Sequence, residues 1–150
     1  MPPTTARRSF QSSELSRHSK SVFAAVGDGS VQITRRDGEA LVLMAEREAA
    51  SRDMLLQVAG RLLTAATAAG GRFSDHLADA YPWMLALSTE DREECATDVL
   101  NAARAAFETG HAHLAVAELT SWRETALAIA AGLGAEPVQW LYEDEPVERP

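Results

Sequence analysis

The pattern that most constrains the fold lies in residues 10–46, where a short amphipathic helix, a glycine turn and two apolar runs follow one another without a gap. Apolar residues recur at helical spacing over 12–26. The Gly-Asp-Gly turn that follows predicts the end of that helix, since glycine enters the left-handed region without steric cost. The two apolar runs flank an Asp-Gly pair at 37–38, which predicts an antiparallel hairpin over residues 30–45.

From Glu46 onward the spacing of apolar residues is helical almost to the end of the chain. The first helical stripe fades at Gly70-Gly71, where we place a domain boundary. Three further helices are predicted, over residues 72–87 with a break at Pro82, over 89–109 and over 111–131.

These patterns together predict an α+β fold in three parts. They are a domain in residues 1–70 with a small antiparallel sheet and helices, a helical region in 71–134, and an acidic, aromatic-containing tail in 135–150.

Charge is distributed unevenly along the chain, whose net charge is −8. Residues 1–36 hold six basic side chains against two acidic ones, a net of +4, so residues 37–150 carry −12. This polarity predicts two partners of opposite sign, a polyanion for the first part and a basic partner for the second.

The composition narrows the class of protein. Cys95 is the only cysteine, so an intramolecular disulfide is impossible, and no Cys/His cluster has the spacing of a zinc site. No run of about 18 apolar residues occurs, which argues against a spanning helix. We therefore expect a cytoplasmic protein without a membrane partner, a metal or a cofactor.

An enzymatic function finds little support in the sequence. His111 and His113 are two residues apart, which gives at most half of a metal site. Cys95 stands beside Glu94 and Asp98, whose charges should raise the pKa of a thiol. The glycine turn precedes a strand, whereas a phosphate-binding loop opens a helix. The sequence favours a binding protein that is not an enzyme.

The order of elements resembles the prevent-host-death antitoxins of the Phd/YefM family. The matching residues are Glu14-Leu15-Ser16, Val22, the run Val-Gln-Ile-Thr-Arg-Arg-Asp-Gly at 31–38, and Leu-Val-Leu at 41–43, and the resemblance extends over residues 8–66. It implies a dimeric DNA-binding domain that represses its own operon, followed by a C-terminal segment that binds and inactivates a co-encoded toxin.

DNA binding requires cations close to phosphates, together with short polar side chains that contact the backbone or a base edge. The candidates are Arg7, Arg8, Ser12, Ser13, Arg17, His18, Lys20, Arg35 and Arg36. The alternative is that these residues form only a solvated basic surface.

Self-association is expected, because a small hairpin and one helix bury too little apolar surface alone. The candidate residues of a homodimer interface are Val31, Ile33, Leu41 and Leu43, with a place in the core as the alternative. For Trp83 and Trp122, packing within the helices is favoured over a role in binding.

The tail joins aromatic side chains to acidic ones, a combination suited to an apolar groove on a basic partner. The predicted toxin-binding residues are Trp140, Leu141, Tyr142, Glu143, Asp144 and Glu145. Alternatively, Trp140 packs against the helices of its own chain.

The resemblance to the Phd/YefM family implies an antitoxin that binds operator DNA, represses its own operon and neutralises a cognate toxin, and the polarity of charge and the composition of the tail agree with that expectation. The alternative is a helical adaptor or ligand-sensing transcriptional regulator without a toxin partner.

Overall fold

The computed structural model describes residues 7–134, which form an α+β fold with three strands and six α-helices. The strands are β1 Ser9–Gln11, β2 Val31–Thr34 and β3 Leu41–Leu43. The helices are α1 Glu14–Arg17, α2 Ser19–Gly27, α3 Glu46–Thr67, α4 Phe73–Ala80, α5 Thr89–Thr109 and α6 His113–Ala130. A 3-10 helix, Pro82–Ala86, lies between α4 and α5.

The sheet has the strand order β1-β2-β3 and is mixed. β2 and β3 are antiparallel, with Val31 opposite Leu43 and Ile33 opposite Leu41, which confirms the predicted hairpin. β1 is instead parallel to β2, with Phe10 opposite Ile33. The prediction of an antiparallel sheet was therefore wrong for β1, because α1 and α2 carry the chain back to the end of the sheet at which β1 began.

The helix expected over 12–26 is interrupted at His18, whose φ of −135° and ψ of 36° separate α1 from α2. Neither helix has a side-chain cap at its N-terminus. α2 ends at Gly27, and Gly29 has a φ of 142°, a value that L side chains rarely adopt. The glycine turn predicted from the sequence thus ends the helix and leads directly into β2.

A small core holds the sheet to α2. Its buried side chains are Val22, Ala25, Val31 and Ile33, and Phe10, Leu15, Val26 and Leu43 pack partly buried against them. The alternation of β2 explains this arrangement, because successive side chains of a strand point to opposite faces and only one face of β2 is apolar. We call residues 7–44 the sheet unit.

A larger core lies among α3, α4, α5, α6 and the 3-10 helix. Leu55, Val58 and Leu62 of α3 share this core with Leu77 of α4 and Val99 of α5. The sequence predicts a domain boundary at Gly70-Gly71. In the structure α3 precedes these glycines and yet buries its apolar stripe against the helices that follow them, so one core extends across this position. We call residues 45–134 the helical unit.

The ends of α5 and the start of the 3-10 helix follow local sequence signals. The Ser88 hydroxyl accepts a hydrogen bond from the Asp91 N–H at 3.1 Å and so caps α5. Gly110 ends α5 with a φ of 72°, in the left-handed region. Pro82 stands at the start of the 3-10 helix, where its missing N–H has no cost. The predicted boundaries of α5 are confirmed.

None of the helices in residues 7–134 combines the length and the apolar character needed to cross a membrane.

Candidate nucleic-acid interface

The parallel pairing of β1 with β2 decides where the candidate DNA-binding residues lie. The Ser12 N–H donates to the carbonyl of Thr34, the last residue of β2, at 2.9 Å, which continues the ladder by one residue beyond β1. The residues that follow β1 therefore lie beside those that follow β2. Ser12 and Ser13 are thus brought next to Arg35 and Arg36, although more than 20 positions separate them in the chain.

Helix α2 begins at this same end of the sheet, because it must return the chain to the opposite end before β2 starts. Arg17 and His18 immediately precede α2, and Lys20 lies in its first turn. Seven of the nine candidates thus share one end of the sheet. We call its four permanent cations, Arg17, Lys20, Arg35 and Arg36, the basic end.

The two remaining candidates lie at the opposite end. The Arg8 carbonyl accepts from the Gln32 N–H at 2.9 Å, which places Arg7 and Arg8 beside the start of β2. There the Arg8 guanidinium forms an ion pair with Asp28 at 3.3 Å. Since a strand of three or four residues spans about 10 Å, the sheet separates these arginines from the basic end. The single basic surface suggested by the sequence is divided in two.

The basic end is accessible to an anion, because its side chains are exposed and have no carboxylate partner among the described residues. All nine candidates are exposed. Among residues 7–134, the four cations of the basic end have no carboxylate within 4.0 Å. The Arg35 guanidinium lies against Gly38, so close that a Cβ at this position would be 3.2 Å from its central carbon. Glycine at position 38 thus permits the turn and leaves room for Arg35.

Three acidic residues lie at the same end of the sheet. The Glu14 carboxylate accepts from the Gln11 N–H at 2.6 Å, and Asp37 and Glu39 follow in the turn between β2 and β3. Four cations against three carboxylates leave a net charge of only +1. Net charge alone therefore gives this end of the sheet only a weak attraction for a polyanion.

The four residues expected at a dimer interface fall in different environments. Val31 and Ile33 are buried in the core of the sheet unit, and Leu43 is partly buried. Leu41 is 53% exposed. Two apolar side chains that sequence reasoning missed are also exposed, Val42 at 44% and Phe23 at 60%. The signal for Val42 was available, because alternation along β3 places it on the face opposite to Leu41 and Leu43.

The predicted toxin-binding residues, 140–145, lie outside the described residues. Within them, Trp83 and Trp122 both pack partly buried against the core of the helical unit. The Trp83 ring lies 5.9 Å from that of Tyr81, centroid to centroid. The expectation that these two tryptophans serve packing is confirmed.

The structure also describes the three side chains that were considered for catalysis or metal binding, Cys95, His111 and His113. Cys95 is buried, and its thiol pKa is raised to about 12, first by burial and then by the charges of Asp98 and Glu118. The direction agrees with the prediction, but burial is the larger cause and Glu118 replaces Glu94 as the second carboxylate. The rings of His111 and His113 meet edge to face, 5.7 Å apart. Residues 7–134 contain no group of three or more His, Cys, Asp or Glu able to hold a metal ion.

The chain matches no protein-family model, no curated protein and no solved structure. The resemblance to the Phd/YefM family therefore depends on the matching residues within positions 8–66 alone.

Proposed function

We propose that the protein is an antitoxin that binds operator DNA as a homodimer through its sheet unit, represses its own operon and neutralises a co-encoded toxin. The observation that carries this proposal is the gathering of Arg17, Lys20, Arg35 and Arg36 at one end of the mixed sheet, all exposed. Exposed cations that lie close together can bind the phosphates of DNA, because each phosphate that they neutralise releases condensed counterions.

A homodimer would carry two basic ends, and so twice the positive charge that one copy offers to DNA. Phe23 and Leu41 are exposed apolar side chains of the sheet unit, and Val42 is exposed on the face of β3 opposite to Leu41, so burying either face of β3 against a partner would stabilise a dimer. A two-fold dimer presents two basic ends, which suits an operator with two symmetric half-sites.

The toxin contact is proposed for the acidic part of the chain. Residues 37–150 carry a net charge of −12, which suits a basic partner, and acidic groups would compete with the RNA or DNA substrate of such a toxin. We place the contact in the tail at 140–145, with the helical unit as its support. The protein acts by stoichiometric binding, without turnover.

DNA binding is tested by a mobility shift of the full chain on its own upstream DNA at two salt concentrations. We expect a complex whose affinity falls steeply as salt rises, and a dimer in the free protein. A monomer that ignores this DNA at low ionic strength contradicts the proposal.

The basic end is tested by changing Arg35→Ala and Arg36→Ala together. The slope of log affinity against log salt should become shallower by about one for each phosphate that is no longer neutralised, up to about four per dimer. The matched control is the double change Arg104→Ala and Arg123→Ala, which removes two exposed arginines from the helical unit. Equal slopes for the two double variants would refute the role of the basic end.

The toxin is tested by expressing the adjacent reading frame alone and together with this chain. Growth arrest by the neighbour, relieved on co-expression, supports an antitoxin. A harmless neighbour favours the alternative of a regulator without a toxin. Pull-down of the toxin by a chain truncated at Ala135 then decides whether the tail makes the contact, because a tail-dependent complex does not survive truncation.

A further inference from the structure

A groove of about 630 Å³ lies where three segments of the chain meet. They are residues 26–29 at the end of α2, the first turns of α3, and the turn at 110–113 between α5 and α6. A groove of this volume is in the range of sites for small ligands. Its charged and aromatic lining consists of Asp28, Arg47, Glu48, Arg52, His111 and His113.

Both carboxylates of this lining already have a cationic partner. Glu48 accepts from the Arg52 guanidinium at 2.6 Å, and Asp28 pairs with Arg8, which lies outside the groove, at 3.3 Å. Arg47, in contrast, has no carboxylate within 4.0 Å among the residues from 7 to 134. The groove thus offers an unpaired positive charge in a chain that is acidic as a whole.

The backbone at the groove has the same electrostatic sign. Ala45 and Ala112 precede α3 and α6, both line the groove, and neither helix has a side-chain cap at its N-terminus. The first N–H groups of a helix lack partners within the helix and carry the positive end of its dipole. In α3 this positive end is offset by Glu46 and Glu48 in the first turn, whereas α6 has no acidic residue in its first turn and so adds to the attraction for an anion.

The imidazoles supply directional donors. The rings of His111 and His113 are exposed, line the groove and stand edge to face, and a neutral imidazole carries one N–H donor. Together with the guanidinium of Arg47, they give the lining of the groove several N–H donors. Phosphate oxygens are the acceptors that such a set of donors suits best.

We propose that this groove binds a small phosphate-bearing anion, with Arg47 as its principal cation and His111 and His113 as hydrogen-bond donors. The proposal is independent of operator binding, since the cations of the basic end take no part in it. A ligand in the groove would contact the sheet unit at 26–29 and the helical unit at α3 and at 110–113. It would thereby join the two units.

Titration calorimetry with the full chain tests the proposal, with pyrophosphate and adenosine monophosphate as probes and no DNA present. We expect binding of at least one probe by the unchanged protein. Arg47→Ala should weaken it about tenfold, which corresponds to the removal of one charge-assisted hydrogen bond. Glu48→Gln should tighten it, because this change removes a repelling carboxylate and releases Arg52.

Arg104→Ala serves as the matched control, since Arg104 is exposed on α5 and does not line the groove. Thermal melting shows whether each variant is folded. Absence of binding to both probes, or equal binding by Arg47→Ala and Arg104→Ala, would overturn the proposal. Binding of a short DNA duplex that is lost in Arg47→Ala, with no binding of either small probe, would also overturn the proposal, because Arg47 would then contact the DNA backbone.

Discussion

The sheet unit and the helical unit contrast in how much core each has. The sheet unit buries four apolar side chains in one small cluster, whereas the helical unit buries seventeen. Within residues 7–134, no strand or helix of the sheet unit packs extensively against α3, α4, α5 or α6. The larger core favours folding of the helical unit alone, whereas we propose that a second copy supplements the small core of the sheet unit.

The two units also differ in where their charges are paired. In the helical unit Arg72 bridges Asp75 and Glu93, and Arg92 contacts Asp75 while donating to the Met84 carbonyl at 3.2 Å. These pairs join the start of α4 to α5 and to the 3-10 helix. Among residues 7–134, the cations of the basic end have no such carboxylate partners. The pairs of Arg72 and Arg92 thus connect elements within the helical unit, whereas the cations of the basic end are open to a ligand, as Arg47 is at the start of α3.

The largest effect is expected from Leu77→Ala in the helical unit. Leu77 is fully buried in the larger core, so its truncation should lower the free energy of unfolding by about 3 kcal/mol through reduced burial and a cavity. Chemical denaturation followed by circular dichroism measures this decrease. Leu85→Ala is the control, because Leu85 is 62% exposed and its truncation should have little effect.

The same variant tests whether the two units fold independently. If they are as separate as their packing indicates, the folded Leu77→Ala protein should bind DNA as the unchanged protein does. Loss of DNA binding at a temperature where the helical unit is still folded would show that the units are coupled.

A smaller effect is expected from Leu41→Glu, which tests the proposal that the sheet unit forms a dimer. A carboxylate in an apolar interface loses hydration, so the dissociation constant of the dimer should rise by at least about tenfold. Sedimentation equilibrium measures this constant. The matched control is Leu56→Glu, which changes an equally apolar side chain that is exposed on α3. An equal change in both variants would contradict an interface at β3.

The smallest effect concerns the charge pairs of the helical unit and takes the form of a dependence on pH. The pKa of Asp75 is lowered from its ordinary value of 3.8, first by its hydrogen bond with Arg72. The folded state thus binds this proton less readily than the unfolded state. The resulting stabilisation is present above pH 3.8 and is lost as the pH falls through the lower pKa of the folded state.

Asp75→Asn removes this contribution, so its stability should fall less steeply with acid than that of the unchanged protein. Urea denaturation at a series of pH values below about 5 measures the two slopes. Asp53→Asn, at an exposed position of α3, is the control. Identical slopes for the Asp75 variant and the unchanged protein would show that the pairs in this unit contribute nothing to its stability in acid.

Much of the fold could be predicted because its signals are local. The Asp-Gly turn with alternating apolar residues predicted the β2-β3 hairpin, and Ser88 and Gly110 predicted both ends of α5. The parallel partner of β2 could not be predicted in this way. The pairing of Phe10 with Ile33 joins residues far apart in the chain, and three residues of β1 carry no signal for direction.

The sequence predicted which residues belong to the candidate site, but it did not predict how they are arranged. Each cation of the basic end was identified from residue type and position, whereas their division from Arg7 and Arg8 follows only from the parallel pairing. The groove around Arg47 left no signal in the sequence, because its lining comes from three segments that are distant along the chain.

Local sequence patterns were enough to predict the hairpin and both ends of α5, since these depend on neighbours within a few residues, and the polarity of charge follows directly from the residue types. The break at His18 is seen only in the tertiary structure, and the mixed sheet, the packing of α3 in the larger core and the position of four cations at one end depend on contacts between distant residues. The physical reason is that side-chain periodicity specifies which face of an element is apolar. It does not specify which other element will cover that face.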